Sequence, residues 1–339
     1  VCLVAITYVY FLIFAQFGFI KRLAELGIAD AHLKIVMAAM AAGGIVFSLL
    51  ASGQRFGSSP RLRLQIALSA CGVAALLTLI PLALGASSVT SFLIGVGLGL
   101  LTVTLVSNLR NWLGDGDGLL KVGLGTGVGY LICNFPPLFT APPDTQAITA
   151  ASLCFIGVLA SANVSTDVAA ATTPTSQAPI SFGRVLISFT ALVWLDSAAF
   201  FIIQNTPALK AGTWEGNVHL WVNGLLHLFA AVASAWLLRR RGLSLVFVVA
   251  VLALAVSCLL LLDPSRAVLA SLFYPVGVSL YSVALVAYPS LLAPASSQAD
   301  RARKAGLVYA IAGWIGSAMG IGMGQNLGHV PVSFVLLAC

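Results

Sequence analysis

Apolar runs of about 18 to 27 residues recur along this chain, each closed by a short polar or charged stretch. The runs are continuous, without the alternation of a half-buried strand, so they predict membrane-spanning helices rather than a β-barrel. They fall at 1–20, 33–53, 62–84, 88–110, 119–140, 144–161, 182–204, 216–238, 243–262, 266–292, 304–325 and 331–339. One stretch breaks the rhythm. From Ser161 to Ser181 the chain reads SANVSTDVAAATTPTSQAPIS, the Ser, Thr, Ala and Pro composition of a weakly ordered linker. The pattern predicts an all-α integral membrane protein of about twelve helices, in two matched bundles of six at 1–160 and 182–339, joined by residues 161–181. The chain opens inside an apolar run without Met, and its last segment, PVSFVLLAC, is too short to cross a hydrocarbon core about 30 Å thick. Both ends are therefore expected to be cut, with the last span truncated.

Charge adds an orientation to this picture. Only 8% of residues are charged against 60% hydrophobic, with a mean hydropathy of +1.03, whereas a soluble domain carries about 25% charge. The net charge of +7 is not a nucleic-acid footprint, because the cations are spread over the loops between apolar runs. Of the 17 Lys and Arg residues, twelve fall after the even-numbered runs and five after the odd-numbered ones. This bias predicts that the even-to-odd loops, the linker and both chain ends face the cytoplasm. The six cysteines are scattered, without a C-x-x-C pair, and read as small apolar fillers. No phosphate-cradling G-x-x-x-x-G-K-[ST], no H-E-x-x-H and no nucleophile elbow is present, so neither an enzyme nor a resident cofactor is expected.

The loop after the second run reads SGQRFGSSPRLRL, and that after the eighth reads LLRRRGLSL. Both carry Arg-x-Gly beside the membrane, as Arg55-Phe-Gly57 and Arg240-Arg-Gly242, with the glycines 185 residues apart. The first resembles a degenerate form of the loop 2–3 signature of the major facilitator superfamily, G-x-x-x-D-R-x-G-R-R. Arg55 and Gly57 fit it, while Leu50, Gln54 and Ser58-Ser59 replace the first glycine, the acid and the closing basic pair. The resemblance spans the chain at the level of topology. It implies two bundles rocking about a central site, with Arg55, Gly57, Arg240 and Gly242 at the gating loops.

The spans themselves offer few groups for chemistry. Asp196 sits fourteen residues into the seventh run, about 21 Å along a helix and near the bilayer midplane. A charge there costs on the order of 3 kcal/mol, which makes Asp196 a candidate proton carrier or cation ligand. His219, Asn223 and His227 share one face of the eighth run at i, i+4 and i+8. Gln16 interrupts the first run, and Tyr274-Pro275, Tyr281 and Tyr288-Pro289 put rings and helix breakers in the tenth. Glycines crowd the fourth, fifth and eleventh runs, as expected where helices approach closely.

The expectation is a secondary transporter of a small solute or ion, driven by protons, with Asp196, His227, Asn223, Gln16 and Tyr281 as site residues. A second reading is a copper or other transition-metal carrier, in which His219 and His227 act with the thioethers of Met319 and Met323. A third is a non-transporting membrane subunit of a larger complex. The lipid bilayer is the one partner common to all three.

Overall fold

The computed structural model describes residues 1–28, 30–53, 59–113, 117–162, 164, 180–293 and 297–339. Twelve helices follow the apolar runs: α1 Cys2–Glu25, α2 Asp30–Ser52, α3 Pro60–Leu77, α4 Leu84–Trp112, α5 Gly118–Cys133 and α6 Pro143–Ser161, then α7 Phe182–Asn205, α8 Asn217–Arg240, α9 Leu243–Leu260, α10 Pro264–Leu292, α11 Gln298–Leu327 and α12 Val332–Ala338. Ten of these are long and apolar enough to cross a membrane; α5 and α12 are shorter.

Local chemistry sets the helix ends. Ser59 Oγ accepts from the Leu62 amide with Pro60 at the first helical position, which starts α3. Asp117 Oδ1 accepts from Leu120 N to start α5, and Ser297 Oγ accepts from Asp300 N to start α11. Outside the spans, Asp263 leads into α10. The Ser265 hydroxyl and amide both donate to its carboxylate and hold it below its ordinary pKa.

Two features differ from the hydropathy reading. The fifth run, expected to be helical over 119–140, stops at Cys133 and resumes only as the four-residue helix Pro136–Phe139. Pro136 and Pro137 bring no amide hydrogen to the ladder, and each disfavours helical geometry in the residue before it. The fully buried Gln146 then donates to the carbonyls of Leu138 (3.0 Å) and Phe139 (3.1 Å), closing the short helix. A second short helix, Pro207–Thr213, lies between α7 and α8, and the Asn223 amide donates to its last carbonyl, Thr213 O, at 2.8 Å.

Span counting can be checked by helix direction, since two odd or two even spans must run parallel. Along α2 and α4, Ser91 meets Val36, Gly95 meets Met40 and Gly99 meets Gly44, so both numbers rise together. On α7 and α11, Gly316 faces Thr190, Gly320 faces Trp194 and Gly324 faces Ala198 in the same sense. Between α5 and α8, Gly123 meets Ala231 and Gly127 meets Leu228, an antiparallel pair. All three directions agree with the numbering of the runs.

Contacts divide the molecule into two compact units. One holds α1 to α4, α6, the end of α10 from Pro289 and the start of α11 as far as Ala310; the other holds α5, α7 to α9, α10 to Tyr288, the rest of α11 and α12. In the first unit, Ser290 Oγ donates to Val106 O (2.6 Å), Gln298 Nε2 to Asn108 Oδ1 (2.7 Å), and Arg301 to Ser107 O and Gln298 Oε1. These bonds fasten α10 and α11 to the end of α4.

Arg22 ties three other helix ends together. Its guanidinium donates to Thr78 O (3.2 Å) and Leu79 O (3.4 Å) beyond α3 and pairs with Glu25 (3.3 Å) and Asp144 (3.7 Å). The side chain is only 18% exposed, so its hydrogen bonds keep their value. Arg22→Ala is expected to cost about 1–2 kcal/mol, read as a lower thermal midpoint in detergent, with Arg22→Lys recovering part of it. The Arg239–Asp117 pair at 2.7 Å links α8 to the start of α5, but the two side chains are 66% and 31% exposed. Arg239→Ala is therefore expected to cost under about 1 kcal/mol, and the cost should vanish in high salt.

Candidate functional site

Asp196 lies on α7 and is half-buried. Two phenols of α10 close on it from either side. Tyr274 Oη donates to Oδ1 at 2.5 Å, and Tyr281 Oη donates to Oδ2. The two tyrosines are seven residues apart, two helical turns on one face, so the carboxylate sits between them. Both rings are buried at 5% exposure. Among the described residues no cation lies within ion-pair distance of Asp196. Hydrogen bonds to a charged group contribute about 1.5–3 kcal/mol each, the same size as the cost of about 3 kcal/mol for a carboxylate in a span. Two phenols thus suffice to keep a charge there without a salt bridge.

The surrounding helices hold this arrangement. Pro275 inside α10 brings no amide hydrogen and leaves the carbonyl one turn earlier without its helical partner. Serines of neighbouring helices bond carbonyls on either side of Pro275, Ser257 Oγ to Ala270 O (3.3 Å) and Ser234 Oγ to Leu280 O (2.9 Å). On the other flank α11 comes close because Gly320 has no side chain; a Cβ there would lie 2.4 Å from Trp194 O and 2.8 Å from Ser197 Cβ. Ser197 Oγ also donates to Ser317 Oγ at 3.0 Å, fixing the α7 turn that carries Asp196.

A second polar group meets α10 on a neighbouring face. His227 on α8 is 6% exposed, and its Nδ1 is 2.8 Å from Ser279 Oγ. Its ring stacks on Tyr130 of α5, with centroids 4.1 Å apart and planes 3° from parallel. The Tyr130 hydroxyl is 3.1 Å from Ser282 Oγ. Nδ1 is thus the ring nitrogen of His227 committed to Ser279.

The expected site residues are thus only partly gathered. Asp196, Tyr281 and His227 converge on α10. Asn223 is 2% exposed and spends its amide on Thr213 O, a structural bond at the end of the short helix. Gln16 is half-buried in the other unit, within a π-helical stretch of α1, Tyr10–Gly18. His219 Nδ1 meets Glu215 O at 2.8 Å, Met319 is 40% exposed on α11, and Met323 lies one turn beyond. Among the described residues no three His, Cys, Asp or Glu side chains converge to hold a metal ion. Arg240 lies over the Trp236 ring at 5.6 Å, and Gly242 has φ +83°, so a left-handed backbone between α8 and α9 accounts for that glycine. Arg55 and Gly57 lie outside the described residues.

Tyr274, Tyr130, Ser279 and Ser282 were not singled out as site residues from sequence. Only the seven-residue spacing of Tyr274 and Tyr281 carried a signal, and it reads as a site once Asp196 is known to face α10.

Solved structures give this arrangement a setting. The chain is similar to a single-residue variant of the E. coli fucose:proton symporter FucP, at 14% identity and a TM-score of 0.66, covering 99% of this chain and 94% of that one. It is similar to the proton:xylose symporter XylE bound to 6-bromo-6-deoxy-D-glucose, at 12% identity and a TM-score of 0.68, covering 100% and 91%. The fold is that of the major facilitator superfamily. FucP in the outward conformation matches as well, at 13% identity and a TM-score of 0.61, covering 99% and 94%. No family model and no curated protein sequence matches the chain. At these identities the likeness is one of fold, over nearly the whole length of this chain.

Proposed function

We propose that this chain is a secondary transporter that moves a small polar solute together with protons by alternating access. The observation that carries this reading is the carboxylate of Asp196 between the hydroxyls of Tyr274 and Tyr281, in a span and without a cation partner among the described residues. Ionised, the carboxylate accepts both phenol hydrogens. Once protonated, one of its oxygens becomes a donor, and one phenol hydrogen is released to bind solute. Proton and solute then favour the same state, which is the linkage a symporter needs. Alternating access would be the work of two bundles, 1–160 and 182–339, joined by the strap of residues 161–181. The charge bias supports a cytoplasmic strap and cytoplasmic chain ends. His227, bonded to Ser279 of α10, is offered as a further solute ligand.

The similarity to symporters of fucose and xylose makes neutral monosaccharides the first solute class to test. Proteoliposomes with an alkaline interior should accumulate one of labelled L-fucose, D-xylose or D-glucose above its external level. A protonophore should return it to equilibrium. Accumulation indifferent to the protonophore would remove the proton from this reading; no uptake of any of the three would remove the monosaccharides.

A further inference from the structure

Tyr130 of α5 meets α10 beside the Asp196 site, through Ser282. Two faces of α10 are engaged at once. Tyr274 and Tyr281 point to Asp196, while Ser279 and Ser282, three residues apart on another face, meet His227 and Tyr130. We propose that Tyr130 is a positioning residue for the Asp196 site: its ring holds the His227 imidazole flat, and its hydroxyl, through Ser282, sets the α10 turn that presents Tyr281.

The packing around Tyr130 gives the ring little room. On one side a Cβ at Gly127 would meet Leu228 Cα at 3.0 Å; on the other, a Cβ at Gly224 would meet Leu131 Cδ1 at 3.0 Å and Asn134 Cβ at 3.1 Å. The α5 and α8 backbones are thus pressed together above and below the stack. Tyr130 is 6% exposed, His227 6%, Tyr281 5%, Ser282 3% and Ser279 0%. A ring confined in this way moves only when α5 moves along α8. The displacement reaches His227 by stacking and Ser282 by hydrogen bonding, and Ser282 is the residue after Tyr281. The seam runs the full length of both helices, from Arg239–Asp117 at one end to the edge-on contact of Phe135 with Trp221 (5.7 Å) at the other. Tyr130 is where that seam meets α10.

The proposal rests on the reading of Asp196 as the working carboxylate, but its test needs no solute and no transport. Protein carrying carbon-13 aspartate and nitrogen-15 histidine is placed in lipid nanodiscs. The Asp196 infrared carboxyl band is isolated by subtracting the Asp196→Asn spectrum. Tyr130→Phe keeps the ring and removes only the hydroxyl, so it should shift the Asp196 band while leaving the His227 nitrogen signals nearly in place. Ser282→Ala should shift the band in the same way, and the double variant should add nothing further. Tyr130→Leu should also displace the His227 signals. Phe135→Leu, at the end of the seam, should leave the band where it is. An unmoved Asp196 band in both Tyr130→Phe and Ser282→Ala overturns the proposal, and Ser282→Ala alone decides it where Tyr130→Phe fails to fold. Where a labelled monosaccharide is taken up, Tyr130→Phe should lower its maximal rate roughly fivefold to tenfold with KM nearly unchanged. If Asp196→Asn leaves gradient-driven uptake intact, the transport reading falls while the band shifts still stand or fail by themselves.

Discussion

Asp196→Asn is expected to abolish solute accumulation against a gradient while leaving solute exchange across the membrane in place. The substitution keeps size and shape. The amide oxygen still accepts from one phenol, and the amide nitrogen donates to the oxygen of the other, so the α7–α10 contact survives. What the amide lacks is a proton it can take up and release. A symporter moving one proton per solute across a difference of one pH unit has about 1.4 kcal/mol available, which sustains roughly a tenfold accumulation. The variant should fall to equal concentrations on the two sides. The measurement is the ratio of internal to external labelled solute in proteoliposomes, with exchange of preloaded label as the control for folding and binding. A variant that still concentrates solute tenfold places the coupling group elsewhere.

The second large effect concerns folding. Gly95→Ala is expected to destabilise the protein by about 3 kcal/mol or more, beyond the ordinary range for adding a methyl to a packed interior. A Cβ at this position would stand 2.0 Å from Met40 O and 2.8 Å from Gly44 N. These are backbone atoms of α2, and no rotamer change relieves the contact. The two helices would have to separate, loosening the Ser91 Oγ bond to Val36 O (2.7 Å) and the approach of Gly99 to Gly44. The matched control is Gly322→Ala in α11, where a Cβ meets nothing within 4 Å. There the gain in helix propensity, up to about 1 kcal/mol, should leave the protein as stable or more so. Thermal midpoints in detergent compare the two. Equal midpoints would mean that the α2–α4 seam is not held at the distance described.

The same contrast explains what could be read from sequence and what could not. Spans announce themselves because each must bury an apolar surface as long as the bilayer is thick, and that length is written in consecutive residues. Asp196 is legible for the opposite reason, being the one acid away from the ends of such a run. Of its two partners Tyr281 is legible, as a ring in a run interrupted by prolines, and Tyr274 is not assigned a role. A tyrosine in a span reads as an interfacial aromatic, and Tyr130, at the end of a glycine-rich run, looks like a place where helices merely touch. Ser279 and Ser282 are small and uncharged, and they gain meaning only when α8 and α5 lie beside α10. Asn223 shows the converse. Its position on the His219–His227 face suggested a ligand, yet its amide closes a short helix that hydropathy does not reveal. The break after Cys133 was written in Pro136 and Pro137, but an apolar run on both sides of it hides the stop.

The π-wound stretch Tyr10–Gly18 in α1 bears on how this protein tolerates change in its length. Wider winding packs more chain into a given rise than an α-helix does, so this segment carries slack that its neighbours lack. Losing a residue between Tyr10 and Gly18 lets the turn tighten to ordinary winding, with the residues before and after it kept in their places. A deletion among the close-packed turns of α4 has no such reserve, because every residue beyond it would rotate by about 100° away from its partner on α2. Inherited changes in the length of a span should therefore collect in α1 and spare α4.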